Sequence, residues 1–140
     1  MAEMINEKVQ QWMIKANNDL TIAGKDLKTA NPVTDAICFH AQQAIEKYLK
    51  AYLVFKDIEP EKTHKIEKIL LACLTLDPEF VALKNTDILT EYAVEFRYPD
   101  DFYIPTIEEA KEAYTMALQV KKFVLKKINT KFRTEHRPIR

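Results

Sequence analysis

Apolar residues recur at helical spacing along most of the chain, most clearly between Thr34 and Phe55. In this stretch, TDAICFHAQQAIEKYLKAYLVF, one apolar stripe stands at i, i+3, i+7, i+10, i+14 and i+17: Cys38, Ala41, Ile45, Tyr48, Tyr52 and Phe55. Such spacing places these side chains on one face of an α-helix. A second stripe widens that face: Ile37, Ala44 and Ala51. The pattern predicts a central helix that its neighbours contact on two or three sides.

An earlier helix is predicted over about residues 3–29. Its apolar stripe keeps a period near 3.6 residues: Ile5, Val9, Trp12, Ala16, Leu20, Ala23 and Leu27. Gly24, the only glycine in the chain, interrupts this helix at a cost of about 1 kcal/mol relative to alanine, which a close helix crossing would explain. The polar residues 17–19 are poor helix formers in mid-helix, and Asp19 can pair with Lys15 one turn earlier.

Capping signals mark the beginnings of the next helices. Asn31 and Pro32 suit the N-cap and the first position of the central helix. Thr63 suits the cap of a third helix. Asp77, which a proline follows, opens a short helical turn that runs through Leu83.

A fourth helix is predicted from residue 85 or 86. It must end near Arg97, because Pro99 disfavours a helical conformation in the residue before it. Thr106 and Glu109 then form a capping box for the last helix. The predicted fold is therefore all-α: an up-and-down antiparallel bundle of four main helices plus a short helix.

Composition supports this fold class and excludes others. A chain of 140 residues that is 47% hydrophobic and 30% charged is long enough for one globular domain. We assign residues 1–130 to the bundle and the basic residues 131–140 to a frayed tail. A single glycine is too few for an all-β fold, a Rossmann domain or a P-loop.

Cysteine context and hydropathy indicate the compartment. Cys38 and Cys73 fall within apolar helical stretches and are expected to be buried and reduced. The sequence has no uncharged run of membrane-spanning length and no signal-peptide core at its start. We therefore expect a cytoplasmic protein that does not contact a membrane.

Charge is balanced overall but segregated along the chain. Residues 57–112 carry 14 acidic and 6 basic side chains, whereas residues 121–140 carry 8 basic side chains and one acidic. The basic end suits contact with phosphate. It equally suits a solvated helix end whose lysines favour the negative end of the helix dipole.

Several kinds of chemistry are disfavoured. His40, His64 and His136 lie far apart and belong to no H-E-x-x-H or E-x-x-H pair, so no metal site and no cofactor are predicted. The chain contains no serine, and neither cysteine has a recognisable activating context for nucleophilic catalysis.

The remaining polar pattern lies on the central helix. His40, Gln43 and Lys47 stand at i, i+3 and i+7 and therefore share one edge. A second row stands at i, i+4 and i+8: Gln42, Glu46 and Lys50. An apolar helix with ordered polar edges suits a bundle core, and it also suits a shallow polar site.

The irregular aromatic stretch RYPDDFYIP, residues 97–105, sits at a helix junction from which it can fold over the central helix. Arg97 offers a bidentate fork for phosphate, while Tyr98 and Tyr103 offer flat faces on which a base can stack. We therefore take His40, Gln43, Lys47, Arg97, Tyr98 and Tyr103 as candidate nucleotide-binding residues. Alternatively, Arg97 pairs with a neighbouring aspartate and the aromatic side chains cap the core.

Four stretches together resemble a known family: WMIKANNDL at 12–20, AICFHAQQAIEKYLKAYL at 36–53, KTH at 62–64 and RYP at 97–99. They are similar to the HEPN domain (higher eukaryotes and prokaryotes nucleotide-binding), in its prokaryotic stand-alone type. The resemblance implies a helical bundle, commonly a homodimer. It also implies a minimal nucleotidyltransferase as partner, with which many prokaryotic members form a toxin–antitoxin pair.

In the family that this chain resembles, many active members are ribonucleases that need no metal ion and use an R-x(4–6)-H motif. Counted from Arg97, the histidine would fall where Phe102, Tyr103 and Ile104 stand, and His136 follows Arg133 too closely. A histidine is the side chain suited to shuttling a proton near neutral pH, and tyrosine is a poor substitute. The missing histidine therefore disfavours an enzymatic role for this chain.

The leading hypothesis is a non-catalytic nucleotide- or nucleic-acid-binding HEPN subunit, which acts as a homodimer with a nucleotidyltransferase partner. One alternative is a divergent ribonuclease that uses Arg97, Tyr103 and His40. The other is a structural module that binds a partner protein. Two further features favour dimerisation: the central helix is very apolar for a monomeric bundle of this size, and the aromatic-rich helices leave surface to cover.

Overall fold

Helices make up all the regular structure of the described residues. The computed structural model describes the backbone of residues 6–93 and 103–135, and the side chains of residues 6–86 and 103–129. Helix α1 spans Glu7–Leu27, α2 Thr34–Phe55, α3 Ile66–Leu76 and α4 Ile107–Glu135, with a 3₁₀-helix at Pro78–Ala93 between α3 and α4. The predicted all-α bundle is confirmed. Helix α4 continues beyond residue 130, into the segment assigned to a tail.

Helix α2 lies at the centre of the bundle and is buried along most of its length. Its bounds are those that the apolar spacing predicted, because burial on several sides requires apolar residues at nearly every turn. The fully buried side chains around it come from all the other helices, among them Val9, Ile66, Phe80 and Val120. The expectation of a nearly enclosed central helix is confirmed.

The first two helices form an antiparallel pair. Near the connection, Asp26 of α1 accepts a hydrogen bond from the Val33 amide at 2.6 Å. Farther along, Tyr48 of α2 donates to the side-chain oxygen of Asn17 of α1, and burial raises the pKa of the Tyr48 hydroxyl well above its ordinary value. These hydrogen bonds connect α1 and α2 at two points along their length.

Two predicted caps are wrong and two are confirmed, one of which is Asp77, whose Oδ1 accepts the Glu79 amide at 3.0 Å at the start of the 3₁₀-helix. Helix α2 begins at Thr34 rather than at Pro32, and its N-cap Val33 is held by Asp26 of the preceding helix. Helix α3 begins at Ile66, three positions after Thr63. The capping box of α4 forms as predicted: Thr106 donates its amide to Glu109 Oε1 at 2.8 Å, and the Glu109 amide donates to Thr106 Oγ1 at 3.0 Å.

The segment after α3 differs from its prediction. A short turn and a separate helix were expected, but one 3₁₀-helix runs from Pro78 to Ala93. Phe80, Leu83 and Thr86 are fully buried, and the residues between them are exposed. This period of three residues is that of a 3₁₀-helix, in which side chains at i and i+3 eclipse. Burial of one narrow stripe therefore favours the tighter helix over an α-helix here.

Gly24 is explained by a neighbour from α4. A Cβ atom built at this position would lie 2.8 Å from the hydroxyl oxygen of Tyr114 and 3.1 Å from its ring. The absence of a side chain thus lets the Tyr114 ring pack directly on the α1 backbone. The close contact predicted at Gly24 is therefore made by the Tyr114 side chain of α4.

Both cysteines are free and buried, as predicted. Burial raises the pKa of the Cys38 thiol to about 12, and that of the Cys73 thiol to about 12. Both groups therefore stay protonated near neutral pH and pack as small apolar side chains. Among the described residues, none of the helices is both long enough and apolar enough to cross a membrane.

Candidate functional site

One edge of α2 meets α1 through a single carboxylate. Asp19 of α1 lies between the two ends of the predicted row: His40 Nδ1 is 2.8 Å from Asp19 Oδ1, and Lys47 Nζ is 2.6 Å from Asp19 Oδ2. We call these three residues the Asp19 triad. Seven positions separate His40 from Lys47 along α2, about two turns, so one carboxylate from α1 reaches both.

The triad is partly accessible. The side chains are 12% exposed for Asp19, 27% for His40 and 22% for Lys47. An ionised carboxylate only accepts hydrogen bonds, so the Asp19 contact assigns the proton of His40 to Nδ1. The other ring nitrogen, Nε2, is then available to a ligand. Asp19 therefore fixes the orientation of a histidine and a lysine at the surface of the α1–α2 pair.

The second row of α2 forms a separate, more buried network. Lys50 Nζ lies 3.2 Å from Glu46 Oε2, with side-chain exposures of only 8% and 4%. His64, in the connection before α3, places its Nδ1 3.1 Å from the same oxygen. Gln42 donates to the His64 backbone carbonyl at 3.1 Å. We call Gln42, Glu46, Lys50 and His64 the Glu46 network; it attaches the α2–α3 connection to α2.

Gln43 was predicted to share an edge with His40 and Lys47, but its hydrogen bond is made within the second row of α2. Its Nε2 donates to Gln42 Oε1 at 2.8 Å, so it contacts the Glu46 network, whereas His40 and Lys47 contact Asp19. The ammonium of Lys50 also lies 5.5 Å from the centre of the Trp12 ring, a cation–π contact with α1. The polar residues of α2 thus form two groups, the Asp19 triad against α1 and the Glu46 network against the α2–α3 connection.

The other predicted site residues either make their hydrogen bond elsewhere or lie outside the described residues. Tyr103 precedes α4 and donates its hydroxyl to Glu109 Oε1 at 2.6 Å. This hydrogen bond raises the pKa of Tyr103. The tyrosine therefore belongs to the capping box of α4. Arg97 and Tyr98 lie outside the described residues.

Asp19 is the residue whose role the sequence analysis missed. It was expected to pair with Lys15, but its partners are His40 and Lys47. One signal in the sequence marks it: Asp19 lies between Ala16 and Ala23 on the apolar stripe of α1, and an acidic residue on a buried face needs a partner.

A narrow groove of about 160 Å³ lies beside the triad, between the end of α1 and the start of α2. Its apolar lining comes from both helices: Ile22, Ala23, Val33, Ala36 and Ile37. Two polar residues complete it, Asp26 and His40. We call it the α1–α2 groove. Because His40 belongs to both, the triad and the groove form one contiguous surface.

Within the described residues, no three His, Cys, Asp or Glu side chains converge as metal ligands would. The histidine–carboxylate contacts are pairs, His40 with Asp19 and His64 with Glu46, and a lysine shares each carboxylate. These pairs orient imidazoles and bind polar groups; they do not form a cation cage.

Comparisons with known proteins agree with the fold. The profile of the HEPN domain matches residues 9–128. The crystal structure of TT1696 from Thermus thermophilus is 29% identical with a TM-score of 0.72, and the match covers 87% of this chain and 99% of that one. The crystal structure of ST0689, an archaeal HEPN homologue, is 26% identical with a TM-score of 0.63, covering 86% and 97%. No protein of curated function matches the chain.

Proposed function

The chain belongs to the HEPN domain family, and from that premise we propose that it is a nucleotide- or nucleic-acid-binding subunit without catalytic activity. The Asp19 triad is its phosphate contact. The observation that carries the proposal is the joint orientation of His40 and Lys47 by one buried carboxylate, in a seam that solvent reaches. A phosphate oxygen there meets the ammonium of Lys47, which Asp19 already holds in place. It also meets an Nε2–H donor whenever the His40 imidazole carries both protons.

The hydrogen-bonding capacity of the triad supports this role. Lys47 carries three N–H donors and uses one on Asp19, so two remain for a phosphate. His40 adds an Nε2–H donor when its ring carries both protons. The formal charges of Lys47 and Asp19 cancel, as do those of Lys50 and Glu46. Affinity therefore comes from directed hydrogen bonds more than from a positive field, which favours small phosphate ligands over a long polyanion.

We also propose that the protein acts as a homodimer with a partner of the minimal nucleotidyltransferase type, as a toxin–antitoxin-like pair. Family membership supports this assembly, together with exposed apolar side chains on α1, on α3 and in the 3₁₀-helix, such as Ile14, Leu71 and Val81. The central helix does not support it, because neighbours within the same chain cover its apolar face.

Lys47→Met tests the phosphate contact, because methionine keeps the packing of the side chain and removes its charge. A hydrogen bond to a charged group contributes about 1.5–3 kcal/mol, so the Kd for AMP or ATP in isothermal titration should rise about 10- to 100-fold. Lys111→Met, at an exposed position of α4, removes the same charge and should leave the Kd unchanged.

The proposal fails if the wild type gives no heat with millimolar nucleotide, or if both lysine variants bind equally well. Circular dichroism of each variant establishes that the fold is intact. Light scattering of the same samples reports the assembly, and a mass of one 16.4 kDa chain at every concentration would contradict the homodimer.

A second candidate function, a divergent ribonuclease, is favoured by the Asp19–His40 contact. A carboxylate that holds Nδ1–H orients Nε2 as a general base, an arrangement that recurs in hydrolytic sites. Labelled RNA should be incubated with the wild type, with His40→Ala and with His64→Ala as a matched control. Cleavage by the wild type and His64→Ala, but not by His40→Ala, would favour the ribonuclease. RNA that stays intact in all three reactions favours the binding role.

A further inference from the structure

The α1–α2 groove has polar residues at its two ends and apolar residues between them. At one end Asp26 contacts Val33, where α1 passes into α2. At the other end His40 contacts Asp19. His40 follows Val33 by seven positions, which correspond to about 10 Å along the helix axis. The groove therefore separates a carboxylate from the phosphate contact by the length of a small elongated ligand.

We call the apolar part of the α1–α2 groove the slot. Ile22 of α1 and Val33, the N-cap residue of α2, are 50% and 53% exposed, so each of these large apolar side chains lies half in solvent. The smaller residues Ala23 and Ala36 also line the slot. A volume of about 160 Å³ is well below the roughly 300–1,000 Å³ of pockets for drug-sized ligands. It suits one flat ring system.

Asp26 gives the slot a hydrogen-bonding edge. Its Oδ2 accepts from the Val33 amide at 2.6 Å, which fixes the position of the carboxylate. Within the described part of the chain, Oδ1 has no hydrogen-bond partner, so this oxygen is free to accept from a ligand. A ring that enters the slot thus meets a fixed acceptor at the Asp26 end.

We propose that the α1–α2 groove holds the base of a nucleoside 5′-monophosphate, with the base edge at Asp26 and the phosphate at His40 and Lys47. This inference rests on the proposed phosphate contact and adds the orientation of the ligand and its specificity. The ribose lies between the two polar ends. A single phosphate fits the near-neutral triad, and the apolar walls cover the faces of the base.

The carboxylate determines which bases are accepted. The amino groups of adenine, cytosine and guanine donate to a carboxylate oxygen, as cytosine does to Asp and Glu in DNA complexes. Uracil carries its ring N–H between two carbonyl oxygens, and these oxygens repel a carboxylate. AMP and CMP should therefore bind about 10-fold more tightly than UMP, in line with one base-edge contact.

Two variants test the orientation by calorimetric titration of the full chain with AMP, UMP and ribose 5-phosphate. Asp26→Asn keeps an oxygen for the Val33 amide and presents an N–H donor to the base, so the preference for AMP over UMP should be lost. Ala36→Phe fills the slot and should reduce AMP binding to that of ribose 5-phosphate. Neither change should alter the affinity for ribose 5-phosphate.

The possible failures are distinguishable. If AMP, UMP and ribose 5-phosphate bind equally to the wild type and Ala36→Phe changes nothing, the base slot is overturned while the phosphate contact stands. If none of the three ligands binds to the wild type, the proposed function fails and the base slot fails with it. Should Asp26→Asn not fold, the wild-type ratio of AMP to UMP and the Ala36→Phe titration decide the question by themselves.

Discussion

Replacing Glu46 by alanine should lower the free energy of unfolding by about 3–5 kcal/mol, because the change leaves a buried lysine without its counter-charge. Lys50 is only 8% exposed and lies 3.2 Å from Glu46. His64 also loses its carboxylate partner, and Gln42 loses one acceptor, at 3.4 Å. The cost comes mainly from the desolvated ammonium that remains, not from the pair that is lost.

Urea unfolding followed by circular dichroism measures this loss. Glu67→Ala, on the exposed face of α3, is the matched control and should change stability by no more than about 0.5 kcal/mol. The double variant Glu46→Leu/Lys50→Met removes both charges and should recover most of the loss, since apolar replacement of a buried pair is often neutral or stabilising. A loss below about 1 kcal/mol for Glu46→Ala would show that Lys50 reaches water in solution.

Phe80→Ala should cost about 3–5 kcal/mol, the range for removing a buried phenylalanine. Phe80 is fully buried, with its ring 4.5 Å from that of Tyr52 and 4.8 Å from that of Phe123. The ring thereby joins the 3₁₀-helix to α2 and α4. Its removal leaves a cavity that three elements line, and these elements cannot all move inward to fill it.

Thermal or urea unfolding of two further variants provides the comparison for the loss of stability in Phe80→Ala. Val81→Ala, at the neighbouring position that is 58% exposed, should change stability by no more than about 0.5 kcal/mol. Phe80→Leu keeps part of the volume and should cost less than the alanine variant. Equal effects of Phe80→Ala and Val81→Ala would mean that the 3₁₀-helix is not packed on α2 in solution.

A salt-bridged junction lies close to this aromatic cluster. Lys127 of α4 binds Asp77 at 2.8 Å and also contacts Glu79. The hydrogen bond from Lys127 lowers the pKa of Asp77. The contribution of this contact is therefore present above the unfolded-state pKa of Asp77 and is lost as the pH falls through the lowered folded-state pKa. At a partly exposed pair such a contribution is small, so Phe80 is the stronger determinant of this region.

The parts of the fold that were predicted correctly depend on neighbours along the chain. The bounds of α2 follow from an apolar period that its own residues carry, and the capping box of α4 needs only Thr106 and Glu109. Such patterns act over one or two turns and are therefore visible in sequence. The HEPN resemblance was likewise found from contiguous stretches, and the matched family confirms it.

The parts that were missed depend on partners distant in sequence. Asp26 of α1 holds the amide of Val33 at the start of α2, which no local capping rule contains. The 3₁₀-helix follows from burial of the stripe that includes Phe80, a property of the packed core. The helix propensities of ordinary residues differ by only about a few tenths of a kcal/mol per residue, and the free energy of tertiary packing outweighs these differences.

The sequence by itself determined that this protein is an all-helical HEPN domain with a polar edge on its central helix. Only the tertiary structure decided that Asp19 joins His40 to Lys47, that Glu46 and Lys50 are buried, and that a groove opens beside His40. The reason is physical. Spacing along one helix sets which side chains share a face, whereas the register between two helices sets which charges meet, and that register is fixed by packing across the whole core.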